Sequence, residues 1–207
     1  MTPLSLSFGR KLLAAAMLLA FTVSAGCNGD KCYRAETSTL SKVTATARST
    51  SSTLTQDYFV PNGDFECGLT PWTVEVPDAA ASYFLGAPGH TTSNSFQVRF
   101  TPPTRGTQFG VSARIISAPV RVVPNVAYRL NFWTYFDNQN AGFIGVKFNG
   151  VARYTIDATD HGWGGDFTSN TVDYTPTNET VTITFEYLFV STASLDRIDS
   201  VVFAPVQ

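Results

Sequence analysis

From Tyr58 onward, apolar side chains recur at every second position, and that period dictates extended chain rather than helix. In segment 95–100, Phe96, Val98 and Phe100 share one face while Gln97 and Arg99 share the other. In 127–136, Tyr128, Leu130, Phe132, Thr134 and Phe136 alternate with Arg129, Asn131, Trp133 and Tyr135. In 180–190, Val181, Ile183, Phe185, Tyr187 and Phe189 line one face. Segments 142–148 and 151–156 flank Asn149-Gly150, a pair that accepts the positive φ angles of a type I′ turn, so they predict a hairpin. A closing strand is expected over 199–203. No helical period is sustained anywhere, and turns are marked by Thr101-Pro102-Pro103 and Ala87-Pro88-Gly89. Several antiparallel strands, each with one apolar face, must bury those faces against one another. The expected fold is all-β, a sandwich of two antiparallel sheets.

The segment before this domain is of a different kind. Arg10 and Lys11 precede an apolar run from Leu12 to Val23, followed by the small residues Val23-Ser24-Ala25. That order is the one a signal peptide over 1–25 requires. The run is shorter than the ~20 residues that span a bilayer as a helix, so no membrane span is expected. A second reading of the same stretch is a lipoprotein leader cut before Cys27. Residues 37–55 are crowded with Ser and Thr and hold no aromatic residue, too little apolar surface to offset ordering. Residues 26–57 are therefore expected to be a cysteine-containing loop and linker, with the domain over 58–207.

Export permits disulfides. Cys27 and Cys32 bracket the turn-prone Asn28-Gly29-Asp30 and are expected to pair, which leaves Cys67 over. Two states of Cys67 stay open, a buried thiol or a bridge to another chain. Neither a CxxC pair nor clustered histidines accompany these cysteines, which argues against a zinc site. Removing residues 1–25 would leave 12 basic against 16 acidic side chains, without any Lys/Arg run. Such a surface is a poor partner for nucleic acid or an anionic membrane. The one N-x-S/T sequon is at Asn178, a glycosylation candidate just before a predicted strand.

Asn62-Gly63-Asp64-Phe65-Glu66, followed by Gly68 and Trp72, resembles the opening of the CenC-type carbohydrate-binding modules, within the galactose-binding-like jelly-roll superfamily. Tyr128-Arg129-Leu130-Asn131-Phe132-Trp133 is similar to their central strand, and Leu195-Asp196-Arg197-Ile198-Asp199 to their closing segment. Val146-Lys147-Phe148-Asn149-Gly150 is similar to a hairpin between the two. The resemblance covers about residues 58–205 and implies a stand-alone jelly roll that recognises a polysaccharide or other glycan. It further implies a structural calcium ion joining the chain ends, with Glu66 and Asp196 as ligands, since oxygen donors suit this hard cation. Read on its own physics, Asn62-Gly63 is a turn into a strand, Phe65 anchors that strand in the core, and Trp72 is a core residue.

A sugar needs aromatic rings for its C–H faces and polar groups for its hydroxyls. The non-core face of the 127–136 strand offers Arg129, Asn131, Trp133 and Tyr135; Gln97 and Arg99 join it if their strand lies in the same sheet. Two readings of Trp133 stay open, a sugar platform or a ring packed beneath a loop. Trp163, in a glycine-rich segment, is a candidate for closing over a ligand. Glu75, Glu186, Asp157 and Asp160 are the carboxyls a glycosidase would draw on, yet none sits in a catalytic motif, and no serine-hydrolase or metalloprotease signature is present. The expectation is a binding protein rather than an enzyme. Its runner-up is an extracellular or cell-wall protein that uses the same fold to hold another protein, or an accessory to a glycoside hydrolase.

Overall fold

The computed structural model of the chain describes residues 60–103, 110–161 and 163–206. The expected signal peptide (1–25), the linker (26–57) and Cys27 and Cys32 lie outside them. The described strands are β1 (Thr73–Glu75), β2 (Ala81–Gly86), β3 (Ser95–Phe100), β4 (Ala113–Ile116), β5 (Val120–Arg121), β6 (Tyr128–Tyr135), β7 (Phe143–Phe148), β8 (Val151–Asp157), β9 (Thr168–Tyr174), β10 (Thr180–Val181), β11 (Ile183–Leu188) and β12 (Ser194–Pro205).

Two five-stranded antiparallel sheets form, in the orders β1-β4-β11-β7-β8 and β2-β3-β12-β6-β9, with β5 and β10 as a small separate pair. The chain is an all-β jelly-roll sandwich, as its alternation predicts. Phe96, Val98, Phe100, Leu130, Phe132, Ile198 and Phe203 fill the inner face of one sheet; Ile115, Ile144, Val146, Phe148, Ile183 and Phe185 fill that of the other. The layers meet through aromatic pairs such as Phe132 and Phe185, edge to face with centroids 4.9 Å apart. Each pair of that kind adds about 0.5–1.5 kcal/mol to the burial of its area. No helix among the described residues is long and apolar enough to cross a membrane.

The Asn149-Gly150 hairpin joins β7 to β8 with φ angles of 50° and 79°, the type I′ geometry expected. The opening segment differs from its reading. Asn62 and Phe65 take the left-handed conformation (φ 53° and 55°), while Gly63 does not. Gly63 is needed for close approach: a β-carbon there would lie 2.1 Å from the Val201 carbonyl oxygen. The Val201 amide donates to the Gly63 carbonyl at 2.8 Å, binding the opening segment to β12. Phe65 is wholly buried but sits in a turn rather than a strand. Trp72 is in the core, and its indole N–H donates to the Pro61 and Asn62 carbonyls at 3.0 and 3.1 Å.

Cys67 is disulfide-bonded, which corrects the expectation of a leftover cysteine. The chain has three cysteines, so a bonded Cys67 and a Cys27–Cys32 pair exclude each other within one chain.

Candidate functional site

Alternation along β6 turns Arg129, Asn131, Trp133 and Tyr135 outward, because Tyr128, Leu130, Phe132 and Thr134 are all buried. The four do not act as one group. Arg129 makes a bidentate pair with Asp173 on β9 (2.7 and 2.9 Å), and Asn131 accepts a hydrogen bond from the Thr171 hydroxyl at 2.9 Å. These two side chains fasten β6 to the edge strand β9. Trp133 and Tyr135, at the other end of β6, line an open cleft of about 440 Å³ together with Pro88, Gly89, His90, Gly165, Asp166 and Phe167.

His90 and Phe167 escape a sequence reading. The His90 ring lies flat on Trp133, centroids 3.6 Å apart and planes 17° from parallel, and Phe167 meets it edge-on at 5.9 Å. Phe167 also tilts against Tyr135 at 5.8 Å. Trp133 is thus packed under a loop, as one of its two readings has it, and also forms part of the cleft wall. No local signal marks His90, since it reaches Trp133 only through the course of loop 87–94.

That loop is held by two carboxylates. Glu66 accepts the Asn94 amide N–H at 2.6 Å and its side-chain NH2 at 3.4 Å. Asp199 accepts the amide N–H groups of His90 and Ser200, each at 2.6 Å. Burial raises the Asp199 carboxyl to about 6; the two N–H donors pull it down, and Asp64 and Glu66 push it further up. Burial also lowers the His90 imidazole.

The pair expected to bind calcium is not assembled. Arg197 and Asp199 face outward on β12 opposite Tyr135 and Trp133, so Asp196, one position off that period, faces the core. There it accepts a hydrogen bond from the Ser194 hydroxyl. Burial first, then Asp137, holds its carboxyl well above the usual range. The acid that feels Glu66 is Asp199, and both carboxylates are already served by protein donors. Among the described residues no three His, Cys, Asp or Glu side chains converge as a metal site. Glu66 and Asp196 do not fit calcium as a pair.

Gln97 faces outward on β3 but is buried, donating to the carbonyls of Gly86 and Ala87 at 2.6 and 3.2 Å. It braces the turn after β2 and is closed to a ligand, contrary to expectation. Arg99 is exposed, with its guanidinium 5.3 Å from the centre of the Phe84 ring. Arg197, not singled out from the sequence, lies 4.3 Å over the Tyr135 ring. Trp163 is 52% exposed and does not line the cleft, although Gly165, Asp166 and Phe167 just after it do. Asn178 is exposed in the connection between β9 and β10. Glu186 lies on the opposite sheet, bonded to Arg114 and Lys147 at 2.7 Å each.

No protein-family model matches the sequence, and no curated protein matches it. Solved structures share its fold. A family 61 carbohydrate-binding module in complex with β-1,4-galactotriose superposes with a TM-score of 0.55 at 18% identity, over 73% of this chain and 99% of that one. The K3 cleaved adhesin domain of Lys-gingipain from Porphyromonas gingivalis gives 0.51 at 17%, over 70% and 96%. An arabinose-bound family 51 α-L-arabinofuranosidase gives 0.51 at 12%, over 71% of this chain but 26% of the enzyme. At these identities the likeness is one of fold alone: the chain shares its jelly-roll architecture with these structures.

Proposed function

We propose that the chain is an exported, non-catalytic carbohydrate-binding module whose glycan lies in the cleft between loop 87–94 and residues 165–167. The observation that carries this is the meeting of Trp133, Tyr135, His90 and Phe167 around one open cleft beside polar side chains. Aromatic rings supply the apolar surface for sugar C–H faces, and the neighbouring polar groups supply hydrogen bonds. The fold likeness to a module solved with a galactan oligosaccharide supports the same reading. The disulfide at Cys67 supports an oxidising compartment, hence export. Asp166 is the one acid among the described residues lining the cleft, whereas hydrolysis of a glycoside ordinarily requires two carboxyls about 5–10 Å apart.

The test is a glycan array probed with the purified protein and with Trp133→Ala. A defined set of polysaccharides bound by the protein, and lost in the variant with its fold intact, is the expected result. Silence across the array would overturn the reading. A second reading, a surface protein that holds another protein, is favoured by the fold likeness to the gingipain adhesin domain. A specific protein cross-link through the cleft residues, with a silent array, would select it.

A further inference from the structure

We propose that the glycan is acidic and that Arg197 and Arg99 read its anionic groups; this rests on the cleft being the glycan site. Arg197 of β12 stands directly opposite Tyr135 of β6 on one side and Gln97 of β3 on the other. Arg99 is two residues beyond Gln97 on the same outer face, which makes it the diagonal neighbour of Arg197, about 7–8 Å away. The floor of the cleft therefore continues from Tyr135 across the sheet into two guanidinium groups.

Both are arranged as receptors rather than as struts. Arg197 lies on the Tyr135 ring and Arg99 on the Phe84 ring, at 4.3 and 5.3 Å. A guanidinium laid against an aromatic face keeps its N–H donors in its own plane, free for a carboxylate to meet two at once. Arg114 and Arg129, elsewhere on the two sheets, spend that capacity on Glu75, Glu186 and Asp173. Among the described residues neither Arg99 nor Arg197 makes an ion pair, although Arg197 acts on the neighbouring buried Asp196; Nε of Arg197 is itself buried, which leaves its terminal NH2 groups to meet a ligand. Arg121 and Arg153 also lack acidic partners, but they lie on the short β5 and on the edge strand β8. Asp166 on the cleft wall pairs with neither arginine, and Asp199 beneath loop 87–94 is occupied by backbone N–H groups. The two guanidinium groups beside the aromatic rings are thus left without a carboxylate partner of the protein's own, which suits a uronate carboxylate or a sulfate ester on a sugar.

The experiment compares binding of the purified protein to polygalacturonate, to the same polymer fully methyl-esterified, to a sulfated galactan and to neutral β-1,4-galactan. The expected result is preference for the first or third, which identifies the anion as carboxylate or sulfate, weakening as NaCl is raised from about 50 to 500 mM. Arg197→Ala should cost about tenfold or more in affinity for the acidic polymer, and Arg99→Ala severalfold. Arg129→Ala, whose arginine is spent on Asp173, should leave it unchanged. Equal binding of neutral and acidic polymers, with Arg197→Ala as good as the parent, would overturn the proposal. If Trp133→Ala still abolished that binding, the cleft would stand as a neutral-sugar site; if no polymer bound, the glycan reading would fall with it.

Discussion

Two residues carry roles that their local sequence only half reveals. Gly63 belongs to an Asn-Gly pair, the usual mark of a turn, yet it is Asn62 that takes the positive φ, and Gly63 yields room to the Val201 carbonyl. Gly63→Ala should therefore force the opening segment off β12 and lower the unfolding free energy by roughly 2 kcal/mol or more. Denaturant unfolding checks this, and a change below about 0.5 kcal/mol would contradict it. Asp199 is legible as part of a closing motif, but its work on loop 87–94 depends on a contact more than a hundred residues away in sequence, which no local pattern encodes. Its carboxyl is raised to about 6 by burial and by Asp64 and Glu66. A raised acid favours the folded state while protonated. This contribution is whole below the ordinary carboxylate range near 4 and is lost as pH climbs through about 6. Carboxyl NMR should find Asp199 titrating near 6; a midpoint near 4 would show that the loop does not bury it.

At the scale of elements, the strands with strict alternation are the ones the sequence makes plain, β3, β6, β7, β8 and β11 among them. Strands β1 and β4 are too short to declare a period, β2 sets Tyr83, Phe84 and Leu85 side by side instead of alternating, and β9 is mostly polar; they form by pairing, β1 with β4, β4 with β11, β2 with β3 and β9 with β6. The closing strand is legible only over 199–203, whereas β12 runs from Ser194 to Pro205 through a bulge between Asp199 and Val202. Period two also explains the misplaced acid: counting along β12 from Arg197 puts Asp196 inside. On the other sheet, Glu186 of β11 ties together Arg114 of β4 and Lys147 of β7. Burial pushes its carboxyl up, but the bonds from Lys147 and Arg114 outweigh that and hold it below the usual range. A lowered acid stabilises the fold above the ordinary glutamate range and ceases to do so as pH falls through its folded value. Glu186→Gln should thus be less stable than the parent by about 1–3 kcal/mol at pH 7. The gap should close as the solution is acidified below about pH 4. A gap that persisted unchanged at acid pH would refute the ion-pair explanation.

Over the whole molecule, fold and candidate site follow from different amounts of information. The sandwich is written redundantly, by every alternating segment, by the Asn149-Gly150 turn and by a core of large aromatic side chains. The site is written by a few residues whose neighbours come from distant loops. Trp133 and Tyr135 can be read from the outward face of β6, but His90, Phe167 and Arg197 join them only once loop 87–94 and β12 are in place. Gln97, Arg129 and Asn131 share that face and are consumed in holding strands and turns together. The measurement that bears most directly on this division is the affinity of the protein and three variants for the glycan that gives the strongest array signal. Trp133→Ala and Tyr135→Ala should each lose about tenfold or more, while Trp163→Ala, outside the cleft, should match the parent. Undiminished binding by folded Trp133→Ala and Tyr135→Ala would contradict the account and move the site off this face.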